Sequence, residues 1–232
     1  MKIIHISDVH CTENENFLKY LDENEIDLVL VSGDITDFGP DEFAKNFLNK
    51  LASKTSVIAI YGNCDIETIP DVIENSKAIS GHDKINLFKN VLIYGFGGSS
   101  PTPFSTPSEV NEEDLYAGLN NLIDYESVVI EENSSVINEE NIIKILLTHS
   151  PPFESEADKI LSGDHVGSKA VRDIINENDF DINLCGHIHE AKSISKLNKT
   201  IIANPGMFKD NYGILITKND DNCDFDIELV RF

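Results

Sequence analysis

The chain has 232 residues, of which 41% are hydrophobic, and a formal net charge of −23 at pH 7. This length can bury a sizeable core, and the apolar content argues against a disordered chain. The acidic balance disfavours binding to nucleic acid or to an anionic membrane, because both rely on Lys and Arg to neutralise phosphates. No apolar stretch approaches the roughly 20 residues that span a bilayer, and residues 1–8 carry charge and a histidine where a signal peptide would have its apolar segment. We therefore expect a cytoplasmic protein with a single domain over residues 1–232.

The first part of the chain alternates apolar runs with amphipathic segments. The runs at 2–6, 27–31 and 57–60 predict short buried strands, and apolar side chains recur at helical spacing after the first two. Short apolar runs that alternate with amphipathic helices are typical of βαβ units. We therefore expect a largely parallel, buried sheet.

The second part begins with an apolar run at 91–94, which enters a Gly-, Ser- and Pro-rich loop. A helix is predicted within 108–125, where acidic residues cluster near its start. Two further buried strands, at 142–147 and 181–185, flank a helix over 168–178. After these elements only short strands are predicted, at 194–197, 200–203, 212–217 and 225–230. Strands without intervening helices predict a second sheet that is antiparallel or mixed.

Polar side chains follow five of the predicted strands, at the point where each strand ends. In chain order they are Asp8 and His10, Asp34 and Asp37, Asn63 and Asp65, His149, and His187 and His189. Ligands in open α/β sheets bind outside the carboxyl ends of the strands, so segments that are far apart in the chain can converge there. Asp, His and Asn supply the oxygen and nitrogen ligands that borderline divalent ions favour. A mixed shell of this kind suits Mn, Fe, Ni or Zn.

Each of these fragments has an ordinary structural interpretation when it is taken alone. An Asp-x-His pair arises by chance, Gly-Asp and Gly-Asn are common turns, and a single histidine often bonds to the backbone. Five fragments in order, each after a predicted strand, favour a metal site instead. Gly33, Gly62 and Gly186 directly precede three of the candidate ligands, where a side chain would crowd a tight turn.

The ordered set DxH, GDxxD, GNxD, THxPP and GHxH resembles the calcineurin-like metallophosphoesterase superfamily. The resemblance runs from Lys2 to at least Glu190, and Asn204-Pro205-Gly206 is similar to the family's C-terminal region. It implies a four-layer α/β/β/α sandwich of two mixed β-sheets with helices outside. It also implies a phosphate-ester substrate, a monoester or a diester, hydrolysed by a hydroxide that bridges two divalent metal ions.

The resemblance also implies which residues bind the metals. One ion would be bound by Asp8, His10 and His189, the second by Asn63, His149 and His187, and both by the bridging carboxylate of Asp34. Metals about 3.5–4 Å apart can share a hydroxide that is nucleophilic at neutral pH. Asp37 and Asp65 are candidates to orient these ligands from outside, with turn capping as the equal alternative.

The four cysteines show no CxxC spacing, so we expect reduced thiols at Cys11, Cys64, Cys185 and Cys223. Cys64 stands where many relatives have a histidine near the leaving-group oxygen, and a thiol is a poorer proton donor than imidazolium. His165 is the candidate for a catalytic role on the substrate side, because it lies in a Gly-flanked loop before a predicted helix. The alternative is an incidental loop histidine.

Two other functions compete with a phosphoesterase. One is a non-catalytic interaction module, since the retromer subunit with this fold binds partners. The other is a nuclease. All seven expected ligands are present, which argues against the interaction module. The acidic charge argues against the nuclease. The sequence leaves the substrate, the metal identity and the oligomeric state open.

Overall fold

The computed structural model describes residues 1–218 and 224–232, so that Cys223 lies outside the described part. Its α-helices are α1 (Glu15–Asn24), α2 (Asp41–Ala52), α3 (Ile69–Glu74), α4 (Glu112–Glu132) and α5 (Lys169–Glu177). Its strands are β1 (Lys2–Ile6), β2 (Leu28–Ser32), β3 (Ser56–Ile60), β4 (Ile79–Ser80), β5 (Lys84–Phe88), β6 (Val91–Phe96), β7 (Ile143–Thr148), β8 (Ile182–Leu184), β9 (Ser193–Leu197), β10 (Thr200–Asn204), β11 (Tyr212–Lys218) and β12 (Phe225–Arg231). Over these two ranges, no helix is long and apolar enough to cross a membrane.

The strands form two six-stranded sheets. The first has the order β12-β11-β1-β2-β3-β4, and the second has the order β5-β6-β7-β8-β10-β9. Strands β1 to β4 are parallel, and the hairpin of β11 and β12 joins β1 antiparallel. In the second sheet β6, β7, β8 and β10 are parallel, with β5 and β9 antiparallel at the edges. Both sheets are therefore mixed.

Three apolar clusters separate the layers. The central cluster joins the inner faces of the two sheets, with Ile3 and Leu30 on one side and Ile145 and Leu184 on the other. A second cluster packs α1, α2 and α3 on the outer face of the first sheet. A third packs α4 and α5 on the outer face of the second sheet. The expected four-layer α/β/β/α sandwich is thereby confirmed.

The structure corrects the expected assignment of the last two strands. β11 and β12 belong to the first sheet, whereas β9 and β10 belong to the second, as expected. The reason is that β11 is buried on both faces. Ile214 and Ile216 pack in the central cluster, and Leu215 packs in the cluster beneath α1, α2 and α3. Such a strand fits beside β1 in the interior of a sheet and not at an exposed edge.

The sequence pattern also missed or misjudged several elements. The short elements α3, β4 and β5 were not predicted, and α4 runs to Glu132, beyond the predicted range of 108–125. Asn111 caps α4 by accepting a hydrogen bond from the backbone N–H of Asp114, and acidic side chains fill the first turn as expected. The last turns carry the β-branched pair Val128-Val129, which lowers helix propensity. Burial of Val129 against the second sheet's outer cluster compensates for this.

Candidate metal centre

The loops that follow β1, β2, β7 and β8 meet at one edge of the sandwich. Within the first sheet, the backbone N–H of Asp8 donates to the carbonyl of Gly33 at 3.2 Å. Within the second, Gly186 donates to the carbonyl of His149 at 3.0 Å. The two sheets are joined there by His187, whose N–H donates to both carboxylate oxygens of Asp8 at 3.1 and 3.2 Å. The carboxyl ends of strands from both sheets thus surround a single site.

Asp34 lies at the middle of this site and is 2% exposed. Two histidines approach the same oxygen of its carboxylate. His10 Nε2 lies 3.6 Å from Asp34 Oδ2, and His149 Nε2 lies 3.4 Å from it. These two histidines follow strands of different sheets, so Asp34 lies between candidate ligands that both sheets supply.

Asp8 and His189 join His10 in one group of side chains beside Asp34. His189 Nε2 lies 3.2 Å from Asp8 Oδ1, and His10 Nε2 lies 3.9 Å from the same atom. The Nε2 atoms of His10 and His189 are 3.2 Å apart. Asp8, His10, Asp34 and His189 each offer a ligand atom within 4.8 Å of the others, and this donor set fits a divalent ion.

His149 contacts the two remaining candidates. Its Nε2 lies 3.0 Å from the side-chain oxygen of Asn63, and its ring packs edge-on against His187 with centroids 5.1 Å apart. His149 Nδ1 donates to the carbonyl of Ser32 at 2.7 Å, which fixes the tautomer and leaves Nε2 to face Asp34 and Asn63. All seven side chains assigned from the sequence therefore lie together.

The two buried carboxylates require compensating positive charge. Burial opposes the ionisation of Asp34, but the charge of His149 outweighs it and holds the Asp34 pKa well below its usual range. Burial likewise disfavours protonated His149, yet Asp34 and Asp8 raise its pKa to about 9. Burial and the neighbouring His149 charge lower the pKa of His187 to about 4. Without metal, a protonated histidine therefore supplies the positive charge that divalent ions would supply when bound.

Close approach between the site loops explains the three glycines. A Cβ on Gly33 would lie 2.6 Å from the backbone nitrogen of Gly62, and the φ of Gly33 is +101°. A Cβ on Gly62 would collide with the carboxylate of Asp34, whose Cγ would be 2.8 Å away. A Cβ on Gly186 would lie 2.7 Å from the Cβ of Ser7. The turns before the ligands are therefore packed too tightly for a side chain, as the sequence predicts.

Backbone strain is also concentrated in these loops. Asp8, His10, Asp34 and His187 have φ values of 55°, 43°, 49° and 69°. Non-glycine residues adopt this left-handed region at a cost of about 1–2 kcal/mol, with Asn, Asp and His most tolerant. Strain of this kind persists where surrounding structure holds it in place, and it clusters at functional sites.

Asp65 joins the loop of Asp34 to the loop of Asn63. It is fully buried, and its carboxylate accepts hydrogen bonds from the N–H groups of Ile35 and Gly62 at 3.1 and 2.9 Å. It also accepts from Thr36, through the backbone N–H at 2.7 Å and the hydroxyl at 2.8 Å. These contacts go beyond the capping of a single turn.

Asp37 and Cys64 lie at the mouth of the site. Asp37 is exposed, and one ligand atom each from His10, Asp37 and Cys64 lie within 4.8 Å of one another. The backbone N–H of Cys64 donates to Asp34 Oδ1 at 2.8 Å. Burial and the negative charge of Asp34 raise the pKa of the Cys64 thiol far above its ordinary value. The thiol therefore stays protonated at neutral pH.

His165 forms a dyad with a carboxylate that the sequence analysis did not identify. His165 Nδ1 donates to Asp158 Oδ1 at 2.6 Å, and Asp158 is fully buried. Asp158 also caps its own 3-10 turn, with its carboxylate accepting from the N–H groups of Glu154 and Ser155. The Ser-x-x-Asp spacing of Ser155 and Asp158 is a capping-box signal that identifies this carboxylate from sequence.

The dyad's loop is tied to the metal-site loop by Asn204. The buried side-chain amide of Asn204 donates to the carbonyls of Gly186 and Ile188, at 3.3 and 3.0 Å, and to that of Ala157 at 3.4 Å. Ala157 is the residue before Asp158. The Asp158–His165 pair therefore adjoins the turn that carries His187 and His189.

A second group that the sequence analysis missed orients Asn63. The amide nitrogen of Asn63 donates to the hydroxyl of Thr106 at 2.9 Å, which leaves the amide oxygen facing His149. Thr106 in turn donates through its hydroxyl and its backbone N–H to Glu109, both at 2.8 Å. These residues lie in an irregular loop after β6, where no local pattern indicates a contact with a loop more than 40 residues away.

Comparison with known proteins agrees with this geometry. The calcineurin-like phosphoesterase family model matches residues 1–191. An uncharacterised protein of Methanocaldococcus jannaschii is 36% identical over 211 residues, which covers 88% of each chain. A probable cyclic nucleotide phosphodiesterase of Xenorhabdus bovienii is 36% identical over 85 residues, covering 28% of this chain and 34% of that protein. The crystal structure of the protein TT1561 of Thermus thermophilus shares the fold, with a TM-score of 0.68 at 14% identity over 99% of this chain and 98% of that one. The chain therefore belongs to the calcineurin-like phosphoesterase family.

Proposed function

We propose that this protein is a metal-dependent phosphoesterase with a centre of two divalent ions, Mn, Fe, Ni or Zn. The observation that carries the proposal is the approach of His10 and His149, which follow strands of different sheets, to one oxygen of the buried Asp34 carboxylate. The proposed ligands are Asp8, His10 and His189 for one ion, Asn63, His149 and His187 for the other, and Asp34 for both.

When bound, two divalent ions would supply Lewis-acid stabilisation of the phosphoryl group and would lower the pKa of the attacking water. The protein's own part is to hold the ligands ready. The Cys64 N–H donates to Asp34 Oδ1, which leaves Oδ2 directed at the two histidines. The Ser32 carbonyl accepts from His149 Nδ1, so the neutral ring that would bind a metal keeps its proton on Nδ1 and its lone pair on Nε2. His187 has a pKa lowered to about 4 by burial, so its ring is neutral and its lone pair is available at neutral pH.

Cys64 is a poor proton donor to the leaving group, because burial and nearby carboxylates raise the pKa of its thiol. We assign a substrate-side role to His165. Its Nδ1 is held by Asp158, which leaves Nε2 as the end that can meet a substrate oxygen, and the side chain is 30% exposed. Asp158 acts as a positioning residue for this ring. Asp37 and Asp65 are proposed to orient the metal ligands.

We propose a phosphodiester substrate in preference to a monoester. A protonated thiol is a weak acid catalyst, so among phosphodiesters those whose leaving group is already stable should react best. The partial match to a probable cyclic nucleotide phosphodiesterase is consistent with this choice.

The proposal is tested with Asp34→Asn, which removes the shared carboxylate charge. We expect bound metal to fall and hydrolysis of bis(p-nitrophenyl) phosphate to be lost. The matched control is Asp124→Asn on the exposed side of α4, which should keep both properties. Metal content is measured by elemental analysis, and activity by release of p-nitrophenol. Hydrolysis that persists after exhaustive chelation would refute the metal-dependent mechanism, and a well-folded protein that holds no metal would favour an interaction module.

A further inference from the structure

A second group of potential metal ligands lies at the mouth of the proposed centre. One ligand atom each from His10, Asp37 and Cys64 lie within 4.8 Å of one another. In a tetrahedral zinc site, with a Zn–S bond of about 2.3 Å and Zn–N and Zn–O bonds of about 2.0–2.2 Å, the ligand atoms are roughly 3.3–3.6 Å apart. Side-chain shifts of about 1.5 Å or less therefore suffice to bring all three atoms around one ion.

Backbone hydrogen bonds hold the loops of these three side chains together. The N–H of Phe38 donates to the carbonyl of Cys64 at 3.0 Å, so the residue after Asp37 is attached to Cys64. The N–H of Cys64 donates to Asp34 Oδ1 at 2.8 Å, and the N–H of His10 donates to the backbone carbonyl of Asp34 at 2.9 Å. The three loops are therefore fixed relative to one another, and side-chain rotation is enough to close the cluster around an ion.

The cluster differs from the proposed centre because it contains sulfur. The seven proposed ligands of the centre offer only nitrogen and oxygen, whereas the mouth offers one nitrogen, one oxygen and one sulfur. A thiolate ligand selects thiophilic ions such as Zn²⁺, whereas Mn²⁺ and Mg²⁺ favour oxygen ligands. The amide nitrogen of Asn63 donates to Cys64 Sγ at 3.6 Å, and a hydrogen bond to the sulfur stabilises a thiolate.

The mouth is accessible to a cation from solvent. Asp37 is exposed, and His10 and Cys64 are half-buried. The net charge of −23 attracts divalent cations to this protein, and the carboxylate and the thiolate add two negative charges at the cluster itself. When an ion binds, the S–H bond of Cys64 breaks, a sulfur–metal bond forms, and the proton passes to water.

His10 belongs to both groups of ligands. Its Nε2 lies 3.6 Å from Asp34 Oδ2 and 3.2 Å from His189 Nε2 within the proposed centre. An ion at the mouth therefore competes with the centre for this imidazole. Cys64 also stands where many relatives have a histidine near the leaving-group oxygen, so an ion bound to its sulfur occupies the place of the leaving group.

We propose that His10, Asp37 and Cys64 form a third metal site, for a thiophilic divalent ion such as Zn²⁺ or Cd²⁺, and that an ion bound there inhibits hydrolysis. The site itself requires only these three side chains, whereas the inhibition rests on the proposed phosphoesterase function. Mn²⁺, which has little affinity for sulfur, fills the centre and leaves the mouth free.

The test is a titration of the Mn²⁺-loaded protein with Cd²⁺, followed by the ultraviolet charge-transfer absorption of a Cd²⁺–thiolate bond. None of the proposed ligands of the centre is a cysteine, so Cd²⁺ that replaces Mn²⁺ there produces no such band. We expect the band in the wild type and its absence in Cys64→Ser. Asp37→Asn should weaken the Cd²⁺ binding that the band reports by about tenfold or more, since groups that only orient metal ligands already have effects of this size.

The matched control is Cys11→Ser. Cys11 is next to His10 and is half-buried like Cys64, but it lies outside the cluster. This variant should keep the band. A wild-type protein without the band would overturn the site, as would a band that Cys64→Ser retains or that Cys11→Ser loses.

Inhibition is measured on the same samples with bis(p-nitrophenyl) phosphate. Cd²⁺ should inhibit the Mn²⁺-loaded wild type over the concentrations at which the band grows. Relative to its own uninhibited rate, Cys64→Ser should need about tenfold more Cd²⁺ or higher for half-inhibition, because it lacks one ligand. Equal half-inhibiting concentrations in the two proteins would overturn inhibition through this site. Protein that shows the band but hydrolyses no ester would support the site and refute the proposed function, whereas active protein without the band would refute the site alone.

Discussion

Replacing Asp65 by asparagine tests whether the hydrogen bonds behind the metal ligands hold the site together. In the wild type one carboxylate oxygen accepts from Thr36, through both its N–H and its hydroxyl, and the other accepts from the N–H groups of Ile35 and Gly62. Asparagine has the same shape, but only one of its two terminal atoms can accept. The variant therefore keeps the volume and removes half of the acceptor capacity.

The loss of stability in Asp65→Asn depends on the lowest-energy orientation of the new amide. If its oxygen keeps the N–H groups of Ile35 and Gly62, the amide nitrogen faces Thr36. The Thr36 hydroxyl can rotate and accept, but the Thr36 N–H, in a fully buried residue, is left without an acceptor. A buried unsatisfied N–H costs about 1–3 kcal/mol. Burial and repulsion by Asp34 raise the pKa of Asp65 to about 6, which shows that its buried charge destabilises the metal-free protein. Removing that charge therefore offsets part of the loss of stability.

We therefore expect metal-free Asp65→Asn to unfold about 2–8 °C below the wild type, from a net loss of about 1–2 kcal/mol. Metal affinity should fall more strongly, by about 10- to 100-fold, because groups that orient ligands have effects of this size. The assays are thermal unfolding by circular dichroism and titration with Mn²⁺ by calorimetry. Asp124→Asn on α4 is the matched control and should match the wild type. Wild-type unfolding temperature and wild-type Mn²⁺ affinity in Asp65→Asn would refute this reasoning.

Four further predictions concern the same site. Gly62→Ala should reduce bound metal in elemental analysis, because the new methyl group collides with the Asp34 carboxylate; an unchanged metal content would contradict the packing argument. Cys64→His should raise kcat/KM for alkyl esters more than for aryl esters, by up to about 10²-fold, through restored acid catalysis; equal gains would contradict the role assigned to the thiol. The raised pKa of His149, about 9, stabilises the metal-free fold fully below about pH 6.5, and this stabilisation is lost as the pH rises through 9. Metal binding at pH 7 should therefore release a proton, which calorimetry in buffers of different ionisation enthalpy would detect. Metal affinity should rise about tenfold per pH unit up to pH 9, and a metal affinity that does not change with pH would contradict this prediction. His165→Ala should lower turnover of aryl and alkyl esters alike, and unchanged rates would exclude a substrate-side role.

Much of this protein could be predicted from local pattern. The first strand, Lys2–Ile6, has the predicted bounds, and the other predicted strands differ by one or two residues at their ends. The expected family and the four-layer fold are also confirmed. Hydrophobic periodicity reports on burial of neighbouring residues, and this is a local property of the chain. The candidate ligands were found in the same way, because each directly follows a recognisable strand.

Tertiary structure alone decided the contacts between distant segments. Asn63 is bound by Thr106 and Asp65 by Thr36, and both partners lie in other loops. The exposed positions of Phe38 and Phe104 could not be predicted either, since an isolated phenylalanine in a loop is as consistent with a buried core residue. The sheet assignment of β11 was missed for the same reason. Its place beside β1 depends on which distant faces cover its two sides, and no periodicity within Tyr212–Lys218 contains that information.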